Sequence, residues 1–187
     1  MKLSRALVVA SLLAGVGVLT ACPTTTQTTS VPVPAKGTVI TQELYSKFLP
    51  TPKLGQKWTY AVSFTSPETD PDRAEMTLEV TGIDGDVVTT TQTTLNEGST
   101  TPITATSTSS ISKPLHQNEN MNITSGGAED VTVPFKAYTG AAKVIGTEDG
   151  KTAFTVWLVP GVGLVKLSSG DAESGLYVQE LKDFKQP

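Results

Sequence analysis

Between Lys57 and Thr65 apolar and polar residues alternate without a break. Trp58, Tyr60, Val62 and Phe64 fall on one side, and Lys57, Thr59, Ala61, Ser63 and Thr65 on the other. A period of two predicts a half-buried strand. Strands are also predicted over 74–83 and 86–95, flanking Asp84-Gly85, and over 142–148 and 151–159, flanking Asp149-Gly150. Asp-Gly is a strong two-residue hairpin signal, because tight hairpin turns need residues that tolerate positive φ. Strands over 163–169 and 175–184 complete the series. Val159-Pro160-Gly161-Val162 carries Pro and Gly where a type II turn needs them, so a bend is expected there. In 151–159, Phe154, Val156 and Leu158 alternate with Ala153, Thr155, Trp157 and Val159. Both sets are largely apolar, which predicts a central strand covered on both faces.

One stretch has helical spacing. Leu44, Tyr45, Phe48 and Leu49 make an apolar face over 41–49, with Thr41 as N-cap and Pro50 and Pro52 as the stop. Ile40 before the cap and Tyr45 suit a hydrophobic staple. A helix this short must dock on something to persist. The middle of the chain is less patterned. Residues 89–112 are nearly all Thr, Ser and small residues, so strand register there is weakly specified. Residues 112–130 are polar, contain Gly126-Gly127, and predict a long loop. The expected fold is mainly β: one bent, half-barrel-like antiparallel sheet of about eight to nine strands. A short N-terminal helix packs on its concave side.

The N-terminus changes the picture. Lys2 and Arg5 precede an apolar run, Ala6 to Leu19, that is too short to span a bilayer comfortably. Leu19-Thr20-Ala21 then leads to Cys22, the single cysteine of the chain. This segment resembles the lipobox of bacterial lipoproteins. The resemblance implies a signal peptide over 1–21, removed to leave Cys22 as a lipidated first residue. Residues 22–38, rich in Thr and Pro, then predict a tether, and 39–187 a single β-rich domain. Pro23 stands where Asp is associated in that family with inner-membrane retention. The resemblance thus favours the outer membrane of the cell envelope in a diderm organism.

Loss of Lys2 and Arg5 with the signal peptide would take the net charge from −4 to −6. An acidic chain without a basic stripe argues against nucleic acid as partner. Membrane attachment would rest on the acyl chains of Cys22. With that cysteine used, stability must come from a packed core.

No residue pattern declares an enzyme, and no cofactor is expected. His116, the only histidine, lies in a polar loop without a nucleophile motif nearby. The acids Asp70, Asp72 and Glu75, the pair Asp84 and Asp86, and the pair Glu148 and Asp149 fit no calcium-loop pattern. They are read as turn residues, so no metal site is assigned. The aromatic set Trp58, Tyr60, Phe64 and Trp157 is the remaining candidate. It either fills the core or lines a cavity for an acyl chain or another apolar ligand.

Leu54-Gly55-Gln56-Lys57-Trp58-Thr59-Tyr60 resembles a Gly-x-x-Trp-x-Tyr opening found in secreted bacterial lipoproteins. Pro160-Gly161-Val162-Gly163-Leu164-Val165-Lys166 is similar to a later segment of the same proteins. A helix followed by a long curved antiparallel sheet is similar to the layout of the LolA/LolB-type lipoprotein carriers. That resemblance implies a sheet able to hold acyl chains, and it transfers no site residue by position. The functional expectation is a non-enzymatic, membrane-anchored envelope lipoprotein that binds a lipid or other apolar ligand in the bend of the sheet. The alternative is a structural lipoprotein docking an envelope protein, for example by strand addition.

Overall fold

The computed structural model describes residues 31–67, 70–115, 120–171 and 173–187, together with the backbone of Gln27–Thr28. Its elements are β1 (Gln27–Thr28), α1 (Gln42–Ser46), β2 (Lys57–Thr65), β3 (Asp72–Asp84), β4 (Val87–Asn96) and β5 (Ile103–Ser110). After these come β6 (Met121–Thr132), β7 (Ala137–Glu148), β8 (Lys151–Val159), β9 (Gly163–Asp171) and β10 (Gly175–Lys185). Nine antiparallel strands form one open sheet in the order β6-β7-β8-β9-β10-β2-β3-β4-β5. The short β1 runs parallel to β7 at Tyr138 and Thr139.

The sheet consists of two meanders, β2–β5 and β6–β10, joined where β10 pairs with β2. Register shifts fall in the β2/β10, β3/β4, β6/β7, β7/β8 and β8/β9 pairs. Bulges bend strands and increase their twist, which is how so wide a sheet curls. The chain leaves β5 at one edge and enters β6 at the other, so the connection between them spans the sheet order. Both hairpin turns are tight. Gly85 (φ 56) sits between Asp84↔Val87, and Asp149 (φ 49) with Gly150 (φ 77) between Glu148↔Lys151. The first loop is Gly85-Asp86, one residue beyond the Asp84-Gly85 expected from the motif. Val162 N donates to Val159 O at 3.0 Å with Gly161 at φ 76, as a type II turn requires.

The helix forms where expected but is shorter, Gln42–Ser46 instead of 41–49. Thr41 caps it, its Oγ1 accepting from Leu44 N at 3.2 Å. Ile40 is fully buried, and Tyr45 packs against the same cluster. That cluster joins Phe48 and Leu115 to Ile123, Val144, Val156 and Leu158 of β6–β8. A second cluster gathers Tyr60, Met76, Leu181, Val165, Tyr138 and Trp157. The β6–β7 loop reaches it, with Phe135 N donating to Leu181 O at 2.9 Å. As expected, β8 is central and buried on both faces: Val156, Trp157, Leu158 and Val159 are all buried.

Two expectations are corrected. Residues 121–130 are not loop; they belong to β6, a twelve-residue strand with Ile123 and Ser125 buried. Its sequence has weak strand propensity, and partners supply what propensity lacks. β7 pairs along one side. On the other, Gly37 N donates to Ser125 O (2.8 Å), Ser125 N to Thr38 O (2.8 Å) and Ile40 N to Ile123 O (2.9 Å). Gly126 is required because a Cβ there would meet Lys143 Cγ at 2.8 Å. The second correction follows from these bonds. Over its described residues, 31–38, the expected tether lies along the domain. Val31 and Val33 pack on the core, and Ser125 Oγ donates to Pro34 O at 2.8 Å.

Candidate functional site

The alternation of β2 aims Trp58 and Tyr60 at one face of the sheet. Register carries that face onto β3 and β4, where Trp58 lies opposite Leu78, and Val80 opposite Thr90. These residues and Val88 floor a cleft of about 380 Å³. Three segments wall it: Ser46 and Leu49–Pro52 after the helix, Val162–Leu164 at the β8–β9 turn, and Ser109–Ile111 with Pro114 at the exit of β5. Its volume lies within the range of small-molecule sites.

The walls are held by named contacts. Pro50 and Pro52 end the helix and force the chain extended across the sheet. Gly163 (φ +86) permits the close approach of Pro50, whose Cδ would lie 3.1 Å from any Cβ there. Gln56, wholly buried, accepts from Lys53 N at 3.2 Å, while its backbone carbonyl accepts from Val80 N at 2.9 Å. The crossover wall is tied to the helix through Gln42 and Leu115.

The chemistry of the lining is one-sided. Among the described residues, no Asp, Glu, Lys, Arg or His lines the cleft. The polar groups of the two aromatic residues on its floor are already used. Trp58 Nε1 donates to Val162 O at 2.8 Å, and Tyr60 OH donates to Leu164 O at 3.1 Å. Burial, with Tyr45 and Tyr138 close by, pushes the Tyr60 hydroxyl well above its ordinary pKa, so it stays a neutral donor. What remains open is aliphatic and aromatic surface, rimmed by hydroxyls of Ser46, Thr51, Ser109 and Ser110. Such a surface can hold an uncharged or long-chain apolar group.

Two other concavities are of a different kind. A dish of about 540 Å³ on the opposite face carries Arg73, Glu75, Glu97, Glu180 and Lys182. One of about 570 Å³ carries Asp72, Arg73 and Glu97. Both are charged and continuous with solvent-facing surface.

Of the four aromatic candidates, two line the cleft, and Trp157 shares with Tyr60 the hydrophobic cluster on which Trp58 also packs. Trp58 and Tyr60 floor the cleft; Phe64 and Trp157 do not line it. Phe64 lies at the far end of β2, 40% exposed, beside Tyr177 in the 570 Å³ dish. Trp157 faces away from Val156 and Leu158. Its Nε1 donates to Glu129 Oε1 at 3.2 Å, and Lys143 and Lys166 stand 5.3 and 5.7 Å from its ring centre. The cleft therefore lies between Trp58 and the N-terminal segment, with Trp157 outside its lining. The leucine and proline walls were not singled out from the sequence, because nothing local to Leu49, Ile111 or Pro114 indicates that they converge.

Cys22 and His116 fall outside the described residues. Among those described, no group of three or more His, Cys, Asp or Glu is placed to hold a metal ion. Asp86 serves the backbone: its carboxylate accepts from Ser112 N (2.8 Å), Ser112 Oγ (2.9 Å) and Ser110 Oγ (2.5 Å).

No protein-family model and no curated protein matches this chain. Three solved structures are similar in layout. A candidate exported protein with a YmcC-like fold from Bacteroides fragilis aligns over 74% of this chain and 99% of its own, with TM-score 0.46 and 11% identity. A candidate lipoprotein from Parabacteroides distasonis aligns over 74% and 98%, with TM-score 0.45 and 13% identity. A LolA superfamily protein from Nitrosomonas europaea aligns over 78% and 91%, with TM-score 0.28 and 10% identity.

Proposed function

We propose that this chain is a non-enzymatic lipoprotein of the bacterial cell envelope, anchored through lipid on Cys22, that holds an acyl chain or comparable apolar group in the Trp58–Leu164 cleft. The observation that carries the reading is the cleft itself: about 380 Å³, open, and lined among the described residues without a charged side chain. Water in such a space is poorly hydrogen-bonded, so an apolar occupant releases it at roughly 25 cal/mol per Å² covered. The indole and phenol of the floor bond to the β8–β9 turn, which keeps the floor rigid and pre-formed. Anchoring supports the reading by placing the cleft close to a lipid surface.

Two experiments test it. Cys22→Ala should move the full-length chain from the membrane fraction to the soluble fraction; continued sedimentation with membranes would refute lipid on Cys22 as the anchor. A fluorescent fatty-acid probe should bind the unsubstituted protein and lose at least tenfold in affinity when Leu164→Trp fills the cleft. Equal binding by the two proteins would place the apolar site elsewhere.

A further inference from the structure

The two edges of the open sheet are treated unequally. The β6 edge is covered by the chain's own segment 37–40. Among the described residues, nothing pairs with the outer side of β5. Soluble edge strands are ordinarily protected by lysine, proline, bulges or shortness. β5 has none of these: its eight residues contain no Lys or Pro, and its register with β4 has no shift. β4 and β5 together carry no charged residue, in a chain of net charge −4. Two copies meeting along this edge therefore bring no like charges of β4 or β5 together.

We propose that β5 pairs antiparallel with β5 of a second copy, with Ser107 on the two-fold axis. Two constraints select this register. First, Ile111 N donates to Asp86 O at 2.8 Å, so odd-numbered residues of β5 point their backbone groups at β4. By alternation, Thr104, Thr106, Thr108 and Ser110 point theirs outward. Antiparallel pairing then joins only even residues to even residues. Placing Ser107 on the axis pairs Thr104 with Ser110 of the other copy, and Thr106 with Thr108, using all four. Second, the same register sets Ile103 opposite Ile111 of the other copy. These residues are 63% and 38% exposed, and their pairing buries an otherwise exposed isoleucine pair at each end. It also brings Lys113 toward the other copy's β4–β5 turn, whose one acid is Glu97, so the ends are complementary in charge. The product is a continuous two-fold sheet with isologous contact.

The register is testable by cross-linking. Ser107 would meet its own counterpart at a non-hydrogen-bonded position, where Cα atoms are about 4.5 Å apart and a disulfide fits. In the full-length chain, Ser107→Cys should give a covalent dimer on a non-reducing gel under mild oxidation. Ala105→Cys, Ser109→Cys and the unsubstituted chain should not. Thr106→Pro removes an outward N–H while leaving the β4 ladder intact. It should halve the sedimentation mass of the detergent-solubilised protein without changing its circular dichroism. A monomeric unsubstituted chain, capture of an unrelated envelope protein in place of a second copy, or cross-linking at 105 or 109 equal to that at 107 would each overturn the proposal.

Discussion

The Gln42 side chain holds both backbone groups of Leu115: Nε2 donates to the carbonyl at 2.5 Å, and Oε1 accepts from the amide at 2.8 Å. One side chain thus ties the N-terminal helix to the segment that crosses the sheet 73 residues later. Leu115 is buried, so neither of its groups has water as a ready substitute.

Gln42→Ala should lower stability by about 2 kcal/mol, the cost of leaving buried backbone groups unpaired. Gln42→Glu keeps the acceptor and loses the donor, and should cost about half as much. Urea denaturation curves would measure both. Equal stability of Gln42→Ala and the unsubstituted chain would mean that the crossover is held by packing alone.

Trp58 is half-buried, donates to Val162 O and stacks on Phe184 with ring centres 5.6 Å apart. Trp58→Phe retains the apolar ring and drops the hydrogen bond, for a loss of about 1 kcal/mol. Trp58→Ala removes the floor of the cleft and should cost about 3 kcal/mol. If the two variants are equally stable, the residue contributes its hydrogen bond and not its ring.

Gly170 and Gly150 both have positive φ, +85 and +77. Beyond that they differ. A Cβ on Gly150 meets nothing within 4 Å, whereas on Gly170 it would lie 2.1 Å from the backbone carbonyl of Gly175. Gly150→Ala should cost about 1 kcal/mol, the left-handed penalty alone. Gly170→Ala should cost about 2 kcal/mol more, because a backbone group must move. Thermal melts of the two variants, compared side by side, check the difference.

Hydrogen bonds from Ser110 and Ser112 hold the Asp86 carboxyl below its ordinary value of 3.8. A depressed native pKa means stabilisation that is present above the unfolded value and lost as pH falls through the native one. Asp86→Asn should therefore be less stable than the unsubstituted chain at neutral pH, with the gap closing below pH 3.8. Denaturation midpoints at several pH values would show it. A gap independent of pH would assign the effect to geometry and not to charge.

Much of the fold is legible in the sequence, and the reasons for success and failure are physical. β2 and β8 begin and end where their patterns do, because each face of a strand reports its own burial. Asp149-Gly150 and the Pro160-Gly161 turn are legible because positive φ restricts the residues that can stand there. β6 is not legible: its burial comes from β7 and from residues 37–40, partners that no local pattern encodes. Trp58 and Trp157 look alike in one dimension and pack on one hydrophobic cluster, yet only Trp58 lines the cleft. The alternation of each strand was visible, but the register relating one strand to the other was not. The cleft was legible in its floor and not in its walls, since the walls are made of segments between elements that lie far apart in the sequence.

The central claim is that the uncharged cleft holds an apolar group. The most direct measurement is native mass spectrometry of the full-length protein, extracted from bacterial membranes in mild detergent, beside its Leu164→Trp variant. The account predicts a non-covalent, lipid-sized adduct on the unsubstituted protein that is lost on denaturation and absent from the variant. An unsubstituted protein that stays free of adduct after incubation with envelope lipids, or a variant that retains the adduct, would contradict it.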